Sequence, residues 1–189
     1  MKVTHKLIAE SPRKLFLFIL TNGEELLNNF NDVDANIIHC HIDSDGHDIT
    51  QEELYNSKNV SHLMTEFAMV IKSYHAENND VNAVVIGSEN NAEVALDLLL
   101  KENELIEGGI LIKPILNIAI TDGIRIEDNT KVLIIGGDEE ADSKQVEERD
   151  IADILDVNGY DVTLKELDED EDLTPEDITV SVNWINDNF

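Results

Sequence analysis

A glycine-led turn of Gly87, Ser88, Glu89, Asn90 and Asn91 separates the apolar run Ala83-Val84-Val85-Ile86 from a helical segment that begins at Ala92. A sharp turn from a buried strand into a buried helix can lift one side chain clear of both elements, and the carboxylate of Glu89 lies within this turn. A carboxylate so placed can attack an electrophilic carbon and form an ester or anhydride. Releasing that intermediate needs a separate base to activate water. Ser88 is not an equivalent nucleophile, because neighbouring residues at the end of a strand project in opposite directions.

A second group of chemically capable residues is His39-Cys40-His41, followed by Asp43, Asp45, His47 and Asp48. These are ligand types suited to zinc, copper or nickel, but their spacing matches no compact zinc motif. On a regular strand the two imidazoles share one face while Cys40 faces the other layer, where a buried thiol behaves as a small inert apolar group. The expectation is therefore no metal and no cofactor. His62 and His75 fall on a helical stretch and read as exposed or hydrogen-bonded side chains. There is no Walker loop and no Gly-x-Gly-x-x-Gly, and Gly136-Gly137 is followed by Asp138-Glu139-Glu140, which would repel phosphate.

The elements that must position these residues alternate. Short β-branched apolar runs occur at 15–20, 36–41, 83–87, 109–112, 132–136 and 161–164, and most read as strands buried on both faces. Between the second and third runs, Leu63, Phe67, Val70, Ile71 and Tyr74 recur at helical spacing. The segment from Ala92 to Leu105 is apolar on most sides. A further helix carries Val146, Ile151, Ile154 and Leu155 and stops at Asn158-Gly159. Thr174-Pro175-Glu176-Asp177 opens the last helix, with Thr174 as cap and Asp177 at the capping-box position. Stretches 42–58 and 114–130 read as long connections, and Glu166 to Asp172 as a solvated acidic loop. Alternation of this kind predicts an α/β fold: a doubly wound, mainly parallel sheet with helices on both faces.

The chain has 189 residues, which suits a single domain over 1–189, and 42% are hydrophobic, enough for a packed core. Its net charge is −28. Such acidity disfavours nucleic acid and anionic membranes as partners, and leaves small molecules, cations or basic proteins. It is also what adaptation to strong brine would produce. The one cysteine, the absence of a leader-like apolar run and the absence of a membrane-spanning stretch lead to the expectation of a cytoplasmic protein.

Residues 87–100, 103–110 and 131–137, together with Asn158-Gly159-Tyr160-Asp161-Val162-Thr163 and Leu173-Thr174-Pro175-Glu176-Asp177-Ile178, resemble the phospholipase/carboxylesterase branch of the α/β-hydrolase superfamily. That branch includes small esterases and acyl-protein thioesterases, and the resemblance implies their fold. It also implies a site. The family's Gly-x-Ser-x-Gly elbow aligns with Gly87 to Asn91, so Glu89 takes the nucleophile position. The family's acid, in a Gly-x-x-Asp pattern, aligns with Glu140, and its histidine with Glu171. The oxyanion region aligns with Asn22 and Gly23, in a shortened segment that continues to Glu24, and with Asn90 beyond the elbow. Several relatives form dimers, so the resemblance also implies a possible homodimer.

Each departure removes a part that acyl transfer needs: the hydroxyl, its base, and donors for the oxyanion. Three roles then compete. The reading adopted is a catalytically degenerate hydrolase fold that binds a small molecule or a basic protein. The others are an active hydrolase rebuilt around Glu89 and an acidic interaction module that keeps only the fold. Glu89, Glu140 and Glu171 are expected to converge at one edge of the sheet, where three carboxylates raise one another's pKa or attract a cation.

Overall fold

The computed structural model describes residues 1–21, 27, 29–30, 32–43, 56–114, 130–137, 148–167 and 173–189. Seven strands form one sheet: β1 (Lys2–Ala9), β2 (Leu15–Leu20), β3 (Asn36–Asp43), β4 (Asn82–Ser88), β5 (Gly108–Ile112), β6 (Lys131–Gly137) and β7 (Asp161–Leu167). Their spatial order is β1-β3-β2-β4-β5-β6-β7. Strands β2 to β7 pair in parallel, and β1 pairs antiparallel with β3 at one edge. Among the described residues the chain forms helices α1 (Ser57–Glu77), α2 (Asn90–Lys101), α3 (Glu148–Val157) and α4 (Pro175–Asn188), and Asn103–Leu105 forms a 3₁₀ turn.

The alternation of side chains along each central strand divides the core into two layers. Phe16, Phe18, Leu20, Val85, Val132 and Ile134 pack with α1, α2 and α3 on one face. Leu15, Leu17, Ile19, Val84, Ile86, Leu133 and Ile135 pack with Phe30, Ile178, Trp184 and Ile185 on the other. This is why the central runs read as uninterrupted apolar segments: both of their faces are covered.

The helices have local causes. Asn56 caps α1 by accepting from the Asn59 N–H at 3.1 Å. Leu63, Phe67, Val70 and Ile71 are all buried, and the Tyr74 ring stands edge-on to Phe18 with centroids 5.4 Å apart. Thr174 and Asp177 form the reciprocal capping box at the start of α4. Gly159 ends α3 with φ 96°, a conformation in which glycine carries no side-chain penalty. His62 and His75 are hydrogen-bonded to the carbonyls of Met1 (2.8 Å) and Leu105 (3.0 Å).

Several sequence expectations are corrected. Residues 2–9 form a strand that carried no sequence signal, because Lys2, His5 and Lys6 interrupt its apolar positions. Strand β3 runs on to Asp43 and α1 starts at Ser57, so the connection between them is shorter than 42–58. Helix α2 ends at Lys101, and a separate 3₁₀ turn carries Asn103 to Leu105. Strand β7 takes in Glu166 and Leu167, the first residues of the acidic run, and is only half-buried, as suits an edge strand. Val146 and nearly all of 114–130 lie outside the described residues. Among the described residues, no helix is long and apolar enough to cross a membrane.

Candidate active site

Parallel pairing brings the carboxyl ends of β2, β4, β5 and β6 to one edge of the sheet. Leu20 lies beside Gly87, Gly87 beside Leu111, Leu111 beside Ile134, and Gly137 beside Leu167. Open α/β sheets place their ligands at this edge. Thr21, Glu89 and Lys113 are the residues that follow β2, β4 and β5 there.

Glu89 stands at the junction of β4 and α2 with φ 52° and ψ −127°. Only glycine adopts that combination at no cost, since it mirrors the ordinary extended region. For glutamate it stores about 1–3 kcal/mol of strain. The surroundings hold it in place: the Glu89 N–H donates to the Ile112 carbonyl at 2.9 Å, and the Glu89 carbonyl accepts from the Ala92 N–H at 3.0 Å. Gly87 makes the turn possible, because a Cβ there would lie 2.6 Å from the Asn91 carbonyl oxygen and 2.9 Å from the Ala92 backbone. The Glu89 side chain is half-buried and makes no capping hydrogen bond to α2. Its carboxylate is therefore not committed to capping, and it sits at the helix end that favours negative charge.

Asn90, also half-buried, is the first residue of α2. Asn91, where the family pattern has its second glycine, is buried at 9% exposure. Its φ is not among the positive values, so the turn closes without a second glycine. Ser88 is also buried, at 8% exposure, and strand alternation puts it with Val84 and Ile86 on the α4 side of the sheet. It does not share the elbow tip with Glu89. Asn22, Gly23, Glu24, Glu140 and Glu171 lie outside the described residues, so their expected convergence with Glu89 is left as an expectation.

Two charged residues near this edge escaped the sequence reading. The Lys113 side chain, 7% exposed, meets the fully buried Asp177 carboxylate with Nζ to Oδ2 at 3.1 Å. The same Oδ2 accepts from the Thr174 N–H at 2.7 Å and the Thr174 hydroxyl at 3.0 Å. Lys113 itself has φ 45° and donates its N–H to the Ile135 carbonyl at 2.7 Å. The end of β5 is thus tied to the start of α4, a few residues past position 171. Glu93, buried at 5% exposure in the first turn of α2, is the other. The available signal was a carboxylate inside a helix that is otherwise apolar nearly all round.

No family model matches the sequence, and no curated protein matches it. Solved structures do. Over the whole of this chain and 95% of the other, the fold is similar to the carboxylesterase of Bacillus cereus, with TM-score 0.76 and 16% identity. A carboxylesterase from Mesorhizobium loti matches 93% of this chain and 90% of its own, with TM-score 0.69 and 18% identity. A phospholipase/carboxylesterase from Dyadobacter fermentans matches 98% and 96%, with TM-score 0.71 and 12% identity. The chain has the α/β-hydrolase fold. The strained residue at the turn between β4 and α2 of this fold is a glutamate.

Because glycine holds φ 52° without strain, Glu89→Gly is expected to stabilise the fold. Relief of strain exceeds the extra backbone entropy glycine loses, leaving about 1 kcal/mol. The expected result is a rise in Tm of about 2–4 °C, whereas an exposed helical control, Lys101→Gly, lowers it. A fall in Tm for Glu89→Gly would contradict the elbow geometry.

Proposed function

We propose that this protein is a catalytically degenerate member of the α/β-hydrolase fold that binds a small molecule or a basic protein at the carboxyl edge of its sheet. What carries the reading is one observation: a glutamate occupies the elbow in a backbone conformation that glycine would hold at lower cost. A strained residue at the edge where open α/β sheets place their ligands supports a site there. The absence of a hydroxyl at that tip speaks against serine-type acyl transfer. Ser88, the nearest hydroxyl in sequence, is buried in the other direction. The net charge of −28 favours cationic ligands or basic protein surfaces over anionic ones.

The test is reaction with a fluorophosphonate probe alongside turnover of short p-nitrophenyl esters. Neither labelling nor turnover above background is expected. Glu89→Ser alone is expected to stay inactive as well, because the members of a catalytic triad act as a unit and one restored part gains little. Labelling that disappears in Ser88→Ala would refute the degenerate reading. Turnover abolished by Glu89→Gln would replace it with a carboxylate-nucleophile hydrolase.

A further inference from the structure

His39 and His41 lie on the face of β3 opposite Cys40, which is fully buried and whose thiol burial pushes well above its ordinary range. The strand therefore splits the His-Cys-His run: the thiol is withdrawn from any surface site, and the two imidazoles are brought together. Their ring centroids are 5.5 Å apart and the planes are tilted by 38°. Two imidazoles that each give one nitrogen to a tetrahedral ion, with metal–nitrogen bonds of about 2.0–2.1 Å, have ring centres about 5 Å apart. The observed pair is close to that spacing.

An independent feature concerns the tautomer. The Nε2 of His39 lies 3.0 Å from the Thr21 carbonyl oxygen. A carbonyl only accepts, so this nitrogen carries a proton, and in the neutral ring the lone pair then belongs to Nδ1. Imidazoles that bind metal ions are held in this way, the far N–H donated to a carbonyl or carboxylate that fixes ring orientation and raises basicity. His41 is exposed, and the Thr4 hydroxyl of the neighbouring strand lies 2.8 Å from its Nε2 and 3.1 Å from its Nδ1. Asp43 follows on the same face.

We propose that His39 and His41 form a two-imidazole site for a divalent late transition metal ion of the zinc class, with water completing the coordination. Among the described residues no group of three His, Cys, Asp or Glu side chains is gathered to hold an ion, and His39 and His41 are the two ligands proposed. Imidazole selects zinc, nickel and copper over magnesium and calcium, which prefer oxygen. A bound ion would also lock the ring that holds the Thr21 carbonyl, and Thr21 immediately precedes Asn22 and Gly23.

Titration calorimetry with Zn²⁺ on metal-stripped protein, in excess Mg²⁺ to occupy the carboxylate surface, tests this. One equivalent is expected to bind, and His41→Ala is expected to weaken it by about tenfold or more. Because His41 is exposed, its replacement leaves the fold intact, which the far-UV circular dichroism spectrum checks. His39→Gln, which retains a donor toward Thr21, is expected to weaken binding similarly. No zinc binding in the presence of Mg²⁺, or binding equally tight in both variants, would overturn the proposal.

Discussion

Replacing Asp177 with alanine is expected to destabilise the protein by about 3–5 kcal/mol, the usual loss when one partner of a buried ion pair is removed. The carboxylate is fully buried and its Oδ2 serves three donors: the Lys113 ammonium, the Thr174 amide and the Thr174 hydroxyl. Its Oδ1 has no hydrogen-bond partner among the described residues. The variant keeps the Thr174 cap but takes away the acceptor of the Thr174 N–H, and it removes the carboxylate that faces an almost entirely enclosed ammonium. Lys113→Met should cost less, since the Thr174 amide and hydroxyl still hydrogen-bond Asp177 Oδ2. The double variant Lys113→Met/Asp177→Leu should recover part of the loss, because two apolar side chains need no charge compensation and only the acceptor for Thr174 is missing. Urea denaturation of the four proteins at pH 7 measures this. A loss below about 1 kcal/mol for Asp177→Ala would show that the pair is not desolvated as its burial implies.

Gly87→Ala is expected to cost about 3 kcal/mol or more, at the upper end of what overpacking does, because every atom in its way is backbone. The added methyl would lie 2.6 Å from the Asn91 carbonyl oxygen and 2.9 Å from Cα and N of Ala92. No side-chain rotation relieves that, so α2 must move away from β4 and the Glu89 turn must reopen. Gly109→Ala is the instructive comparison. Its methyl would lie 2.5 Å from Cδ1 of Leu99, also an impossible distance, but a leucine terminus can turn aside. Chemical denaturation should give a clearly smaller loss at 109 than at 87. Equal losses would mean that the strand-to-helix approach at the elbow is looser than the geometry states.

Much of this architecture was legible because local periodicity reports on burial. A run such as Val132-Leu133-Ile134-Ile135 has no polar position to expose, and so declares itself covered on both faces. Thr174-Pro175-Glu176-Asp177 states a helix start in four residues, since each meets a separate requirement of the first turn. The elbow was legible for the same reason: a glycine at the end of an apolar strand, followed at once by an apolar helix, leaves the chain only a tight turn. The placing of Glu89 at its tip, and with it the expectation that serine chemistry is missing, came from the resemblance of residues 87–91 to the Gly-x-Ser-x-Gly elbow.

What the sequence could not state depends on distant partners. Strand β1 is held by pairing with β3 across residues such as Thr4 and His41, and its own alternation of lysines and apolar residues is too weak to announce it. The φ of 52° at Glu89 follows from how closely β4 and α2 approach over Gly87, a property of the packed pair and of neither segment alone. Lys113 looked like any charge ending a strand, and Asp177 like a capping residue. That they form one buried ion pair was decided by the sheet order, which sets β5 beside the layer that α4 covers. Sequence patterns encode which faces are apolar and where elements start and stop, because those are local demands. Which charges meet and which backbone angles are forced depends on distances between segments far apart in the chain, and the tertiary structure alone fixes these.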